Sequence, residues 1–138
     1  MNLLNTAWCR ENRAKPLVFL GAVLIASGVA HLGVYCIDGG SWEGDISWRK
    51  PILFGISAGL TSISMGWVWG SLSTWKYDRF LSWTAALALL LEVGLIDLQQ
   101  WRGVASHFNR STALDSAIYN VMGLLILWVT GVIIALTV

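Results

Sequence analysis

Leu17-Val-Phe-Leu-Gly-Ala-Val-Leu-Ile-Ala-Ser-Gly-Val-Ala-His-Leu-Gly-Val-Tyr-Cys-Ile37 runs for 21 residues without an Asp, Glu, Lys or Arg. About 20 apolar residues in a helix cross the roughly 30 Å of bilayer hydrocarbon. Pro51–Trp75 and Ser116–Val138 are also free of formal charge, with 25 and 23 residues. These three runs make up half of the 138 residues. A fourth apolar stretch, Phe80–Trp101, is interrupted only by Glu92, Asp97, Gln99 and Gln100. The chain as a whole is 56% hydrophobic and 12% charged, where a soluble domain carries about 25% charge. A water-soluble enzyme domain, a DNA-binding module and a disordered tail are excluded. The fold class expected is all-α, a single transmembrane bundle with four spans at about 17–37, 52–72, 80–101 and 116–138.

Punctuation between the runs agrees with this. Pro16 and Pro51 each suit the first turn of a helix, where a missing N–H costs nothing. Thr112-Ala-Leu-Asp115 has the form of a helix-start box. Trp42 and Trp48, in the polar link Asp38–Lys50, suit an interfacial aromatic belt. Lys and Arg near the span ends number five on the side of the N-terminus and four on the other. That places the N-terminus in the cytoplasm and the protein in a bacterial-type inner membrane. A net charge of +1 gives no polybasic surface, so nucleic acid is not an expected partner; the lipid bilayer is. Cys9 and Cys36 flank the first span, some 30 Å apart along a helix, too far for a disulfide within one chain.

The second span carries Gly55, Gly59, Gly66 and Gly70, two G-x-x-x-G pairs within about 60° of one face at 100° per residue. Small residues let helix backbones approach where lipid offers no hydrophobic drive. The stripe predicts a close helix contact, either inside the bundle or between two copies in a homo-oligomer.

The third span carries the chemistry. Glu92 lies near mid-depth, where an acid costs roughly 2.5–3.5 kcal/mol on insertion scales. It is expected to face protein or water rather than lipid. If the helix continues past Trp101, Glu92, Gln99, Gly103 and Ser106 share one face, flanked by His107. Asp97 points about 140° away and needs a different partner. With the N-terminus inside, His31 and Asn120 lie in the outer half of their spans. The shared depth predicts an outward-facing polar pocket floored by Glu92, with His31 as its partner. Ligand- or ion-binding residues would then be Glu92, His31, Gln99, Ser106, His107, Asp97 and Asn120. The plainer alternative is that these groups only hydrogen-bond neighbouring helices and hold them in register.

No metal site or cofactor is expected, since no Cys/His spacing has a zinc pattern. Haem held between His31 and His107 is the one alternative cofactor reading. Ser106 and His107 do not make a nucleophile–base pair on a helix, because adjacent side chains diverge. No G-x-S-x-G elbow, phosphate loop or H-E-x-x-H accompanies them. An enzyme is not the expectation.

Two stretches, Ser47-Trp-Arg-Lys-Pro-Ile-Leu-Phe-Gly55 and Arg102-Gly-Val-Ala-Ser-His-Phe-Asn109, followed by Asp115, resemble a group of bacterial integral membrane proteins with no assigned activity. The resemblance covers about residues 31–123. It implies a helical membrane fold and a membrane location, and its members carry further spans after the fourth. The functional expectation is a small ligand- or ion-binding, or transport, protein. A structural or assembly subunit without ligand is the second reading, and a haem-carrying electron-transfer protein the third.

Overall fold

A computed structural model describes residues 12–137. It contains four helices: α1, Lys15–Asp38; α2, Arg49–Ser71; α3, Asp78–Trp101; and α4, Ala113–Thr137. With 23–25 residues each, they run about 35 Å, and all four are long and apolar enough to cross a membrane. No strand occurs among the described residues. The protein is a four-span helical membrane protein. Cys9 and the first basic residue, Arg10, fall outside the described residues, and Cys36 is an exposed free thiol.

Helix starts fall two to three residues earlier than the apolar runs suggest. The cause is visible at Pro51, which occupies the third position of α2. N–H groups of the first turn have no partner inside the helix, so proline does no harm there. The helix-start box forms at α4: the Asp115 N–H donates to Thr112 Oγ1 at 3.1 Å, and that hydroxyl donates to Asp115 Oδ2 at 2.7 Å.

The end of α3 corrects the expectation that it continues past Trp101. Gly103 takes φ +66, a left-handed turn that glycine enters without penalty. Its N–H bonds Gln100 O at 3.0 Å, and the Val104 N–H bonds Gln99 O at 3.1 Å. This is the paired hydrogen bonding of a Schellman stop. Gly103 and Ser106 therefore do not extend the helical face of Glu92.

Helices α1 and α2 form the tightest seam, and the glycine stripe lies inside it. A Cβ built at Gly59 would stand 2.6 Å from Gly21 O, and one at Gly55 would stand 2.9 Å from Gly28 Cα. The reverse holds too, with Gly21 meeting Gly59 O at 2.8 Å and Gly28 meeting Ile52 O at 2.8 Å. Ser62 fastens the crossing by donating to Leu17 O at 2.7 Å. Of the two contacts the stripe allowed, the bundle uses the internal one. Gly66 faces Val18 and Ala14 more loosely, and Gly70 is half-buried.

Helix α3 packs against all three others, and α4 rests mainly on α3. Ala85, Ala86, Ala88, Leu89 and Val93 of α3 form the core with Leu17, Leu20 and Leu24 of α1 and Val129 and Val132 of α4. Because α4 does not pack closely on α2, a lateral cleft separates the two.

Candidate functional site

Four carboxyl side chains belong to α3 and α4: Asp78, Glu92, Asp97 and Asp115. Their surroundings differ. Asp78 opens α3 on the side of the chain's N-terminus. Its Oδ2 accepts from Arg13 at 3.0 Å and from the Trp75 N–H at 2.8 Å, and its Oδ1 accepts from Trp69 Nε1 at 3.0 Å. Arg13 donates further to Leu72 O at 2.7 Å and Ser73 O at 3.1 Å. Arg13, just before α1, is thereby tied to the α2–α3 turn. Sequence reasoning missed this cluster, taking Arg13 only as a topology charge. The signal available was a buried-type indole and an acid nine residues apart, flanking a turn.

Asp115 is 2% exposed and sits at the other end of the bundle. Its Oδ1 accepts from Arg102 at 2.7 Å and from Gln99 Nε2 at 3.1 Å. Arg102 also donates to Gln99 Oε1. Gln99, fully buried, is consumed by this network and does not line a pocket with Glu92.

Asp97 finds its separate partner on α1, as its angular offset required. Oδ2 accepts from Ser27 Oγ at 3.1 Å and lies 4.0 Å from His31 Nδ1. His31 Nε2 accepts from Trp101 Nε1 at 3.0 Å. An indole N–H can only donate, so the ring proton belongs on Nδ1, which lies 2.9 Å from Ser27 O. Trp48 and Trp101 flank the ring at 6.0 and 6.1 Å between centroids. The expected pairing of His31 with Glu92 is corrected: His31 is spent on Ser27, Asp97 and Trp101. Both its nitrogens engage protein groups, and no haem-ligating role follows from the arrangement. Ser27 and Asp97 both approach the same nitrogen, which is not the relay of a hydrolytic triad.

Ser106 and His107 correct a second expectation. They lie in a loop, not on a helix, and Ser106 Oγ is 2.9 Å from His107 Nδ1. The His107 ring stacks on Phe54 of α2 at 5.4 Å. Burial, with the nearby Lys50 ammonium, holds its pKa below the usual histidine value. No acid bonds to its ring among the described hydrogen bonds. Asn120 is exposed on α4.

Glu92 remains. It is 8% exposed, about 13 Å along α3 from Trp101 and about 21 Å from Asp78. No hydrogen bond or ion pair reaches it from any described residue. It lies at the floor of a cleft of about 220 Å³ bounded by α2, α3 and α4. Ser57 and Thr61 of α2 and Thr130 of α4 line this cleft beside Phe54, Leu89, Val93, Ile126, Val129 and Ile133. No cluster of three or more metal-ligating side chains occurs among the described residues.

The predicted site thus separates into distinct places. Asp97 and His31 form one buried cluster, Gln99 and Asp115 a second, Ser106 and His107 a loop contact, and Glu92 a cleft of its own. Compared with known proteins, the chain matches no protein family, no curated protein and no solved structure.

Proposed function

We propose that this membrane protein binds a small ligand or ion within the bilayer, with Glu92 as the charge-bearing group, reached laterally between α2 and α4. One observation carries the reading. Asp78, Asp97 and Asp115 each accept hydrogen bonds, although Asp97 Oδ1 itself is a buried oxygen without a partner; Glu92, 8% exposed, accepts none from a described residue and lines a cleft. An intramembrane acid is costly, and no donor from a described residue compensates the charge of Glu92. A cationic ligand or a proton offsets that cost. The outer groups His31, Asp97, Gln99 and Asp115 act as fasteners between helices, so the ligand-free scaffold reading applies to them and not to Glu92.

We also infer a cytoplasmic N-terminus and an inner-membrane location. The excess of Lys and Arg on the side of α1's first residue supports a cytoplasmic N-terminus. The resemblance of Arg102–Asn109 to bacterial membrane proteins supports an inner-membrane location.

Thermal unfolding in lipid nanodiscs tests the reading. Anything that binds the folded state alone stabilises it by mass action. The parent is expected to gain stability with at least one of Na⁺, K⁺ or an organic ammonium, and Glu92→Gln to lose that gain. A parent that responds to none of them contradicts the reading and leaves the scaffold reading for the whole molecule.

A further inference from the structure

We propose that the ligand of the Glu92 cleft is a hydrophobic amine, with its ammonium on the Glu92 carboxylate and its hydrocarbon body in the groove between α2 and α4. This rests on the reading above and names the ligand class.

The oxygen inventory argues against a bare metal ion. A hard cation such as calcium takes six to eight oxygen ligands. The cleft supplies one carboxylate and the hydroxyls of Ser57, Thr61 and Thr130. Two of those hydroxyls already donate along their own helices, Ser57 to Phe54 O at 3.4 Å and Thr130 to Ile126 O at 2.8 Å. One carboxylate with a few hydroxyl lone pairs matches an ammonium group, which brings its own donors and needs few acceptors.

The walls specify the rest of the molecule. Apart from those hydroxyls, the cleft around Glu92 is built from aliphatic side chains and Phe54. It continues along α2 into a second cleft of about 470 Å³, which shares Thr61 and Ile133 with the first. Leu60, Met65, Val68 and Leu136 line this part. Its size lies within the roughly 300–1,000 Å³ of small-molecule sites. From Ser57 to Val68 the groove follows α2 for about 16 Å. A molecule filling it is elongated and apolar with one positive end. An anion would meet Glu92 as a like charge, and a neutral hydrocarbon would leave the carboxyl unpaired.

Access agrees with this chemistry. The groove opens sideways between α2 and α4, so the ligand enters from the bilayer, where hydrophobic amines partition. At its lower end the groove adjoins a further cleft of about 370 Å³ that shares Leu136 and Thr137 with it and is lined by Asp78, whose carboxylate is held by Arg13.

The test uses the full chain in nanodiscs with dodecylamine, butylamine, dodecanol, NaCl and KCl as probes. Thermal stability and modification of Glu92 by a hydrophobic carbodiimide are both read. Dodecylamine is expected to give a saturable rise in Tm and to slow carbodiimide labelling at least tenfold, with dodecanol and the salts giving neither. Glu92→Gln abolishes the Tm response. Ser64→Phe, which fills the lower groove without touching Glu92, weakens the response to dodecylamine but keeps that to butylamine. Equal protection by dodecanol overturns the proposal, as does a dodecylamine response that survives in Glu92→Gln. An undiminished dodecylamine response in Ser64→Phe removes the groove from it. Protection by Na⁺ or K⁺ alone overturns the ligand class and leaves the ion-binding reading standing, whereas no response to any probe overturns both.

Discussion

Helix α2 has two faces with small residues, and they do opposite things. Toward α1, Gly55 and Gly59 remove side-chain bulk where the backbones cross, so that an added Cβ would fall 2.6–2.9 Å from main-chain atoms of Gly21 and Gly28. Ser62 on that face donates to the facing backbone. Toward α4, Ser57, Thr61 and Ser64 face no close neighbour, and a groove remains. In a bilayer, apolar area gives helices no reason to prefer each other over lipid. Contact is made where backbones can approach and is absent where they cannot. The seam is therefore the structural half of α2, and the groove is the half to which we assign the ligand.

Substitutions separate the halves. Gly59→Leu is expected to have the largest effect, a loss of about 3 kcal/mol or failure to fold, because the neighbour it strikes is backbone and cannot rotate away. Gly123→Ala, at a glycine with nothing within 4 Å of an added Cβ, serves as the control and should cost nothing. Reversible unfolding in nanodiscs checks both. Asp78→Asn comes next, costing about 1–3 kcal/mol, because Arg13 and Trp69 lose a charged acceptor. Limited proteolysis should then cut first in the segment before α1. Glu92→Gln, on the groove side, should leave ligand-free stability unchanged to within about 0.5 kcal/mol or raise it, since no protein contact is lost. A loss as large as that of Asp78→Asn would erase the distinction between the carboxyls.

The smallest expected effect belongs to His107, above the groove on Phe54. Its folded-state pKa lies below the free value of 6.5, through burial and then Lys50. A lowered value means that the unfolded chain binds the proton more readily. Stability is therefore complete above about pH 6.5 and falls as the pH drops below it. His107→Gln should flatten that acid-side decline in a Tm-versus-pH series, with the plateau above pH 7 unaltered.

The sequence was informative wherever the information is local. Three charge-free runs and a fourth broken only by its polar groups set the four spans, Pro16 and Pro51 marked helix starts, Thr112–Asp115 formed its box, and the 140° offset of Asp97 separated it from Glu92. The stop at the end of α3 was also local: Arg102-Gly103 has the glycine such a stop uses, yet the repeating polar face suggested a longer helix. What stayed hidden depends on which helix stands beside which, and at what rotation. Gly21 and Gly28 share a face at a spacing of seven, a pattern weaker to the eye than G-x-x-x-G, and only the crossing with α2 shows their use. The rotation of α1 gives His31 to Asp97 rather than to Glu92. Arg13 and Asp78 are 65 residues apart, and nothing in either neighbourhood announces the other. The groove itself is an absence of packing, which no residue encodes alone.

Glu92 alone among the carboxyls of α3 and α4 accepts no hydrogen bond from a described residue, and in the function proposed above it opens to the bilayer. Labelling the protein in nanodiscs with a hydrophobic carbodiimide, then mapping adducts by peptide mass spectrometry, tests it directly. Modification is expected at Glu92, with none at Asp78, Asp97 or Asp115 on the same time scale, and no adduct within α3 or α4 after Glu92→Gln. Labelling of Asp97 or Asp115 at a rate equal to Glu92, or a Glu92 that stays unmodified while they react, would contradict it.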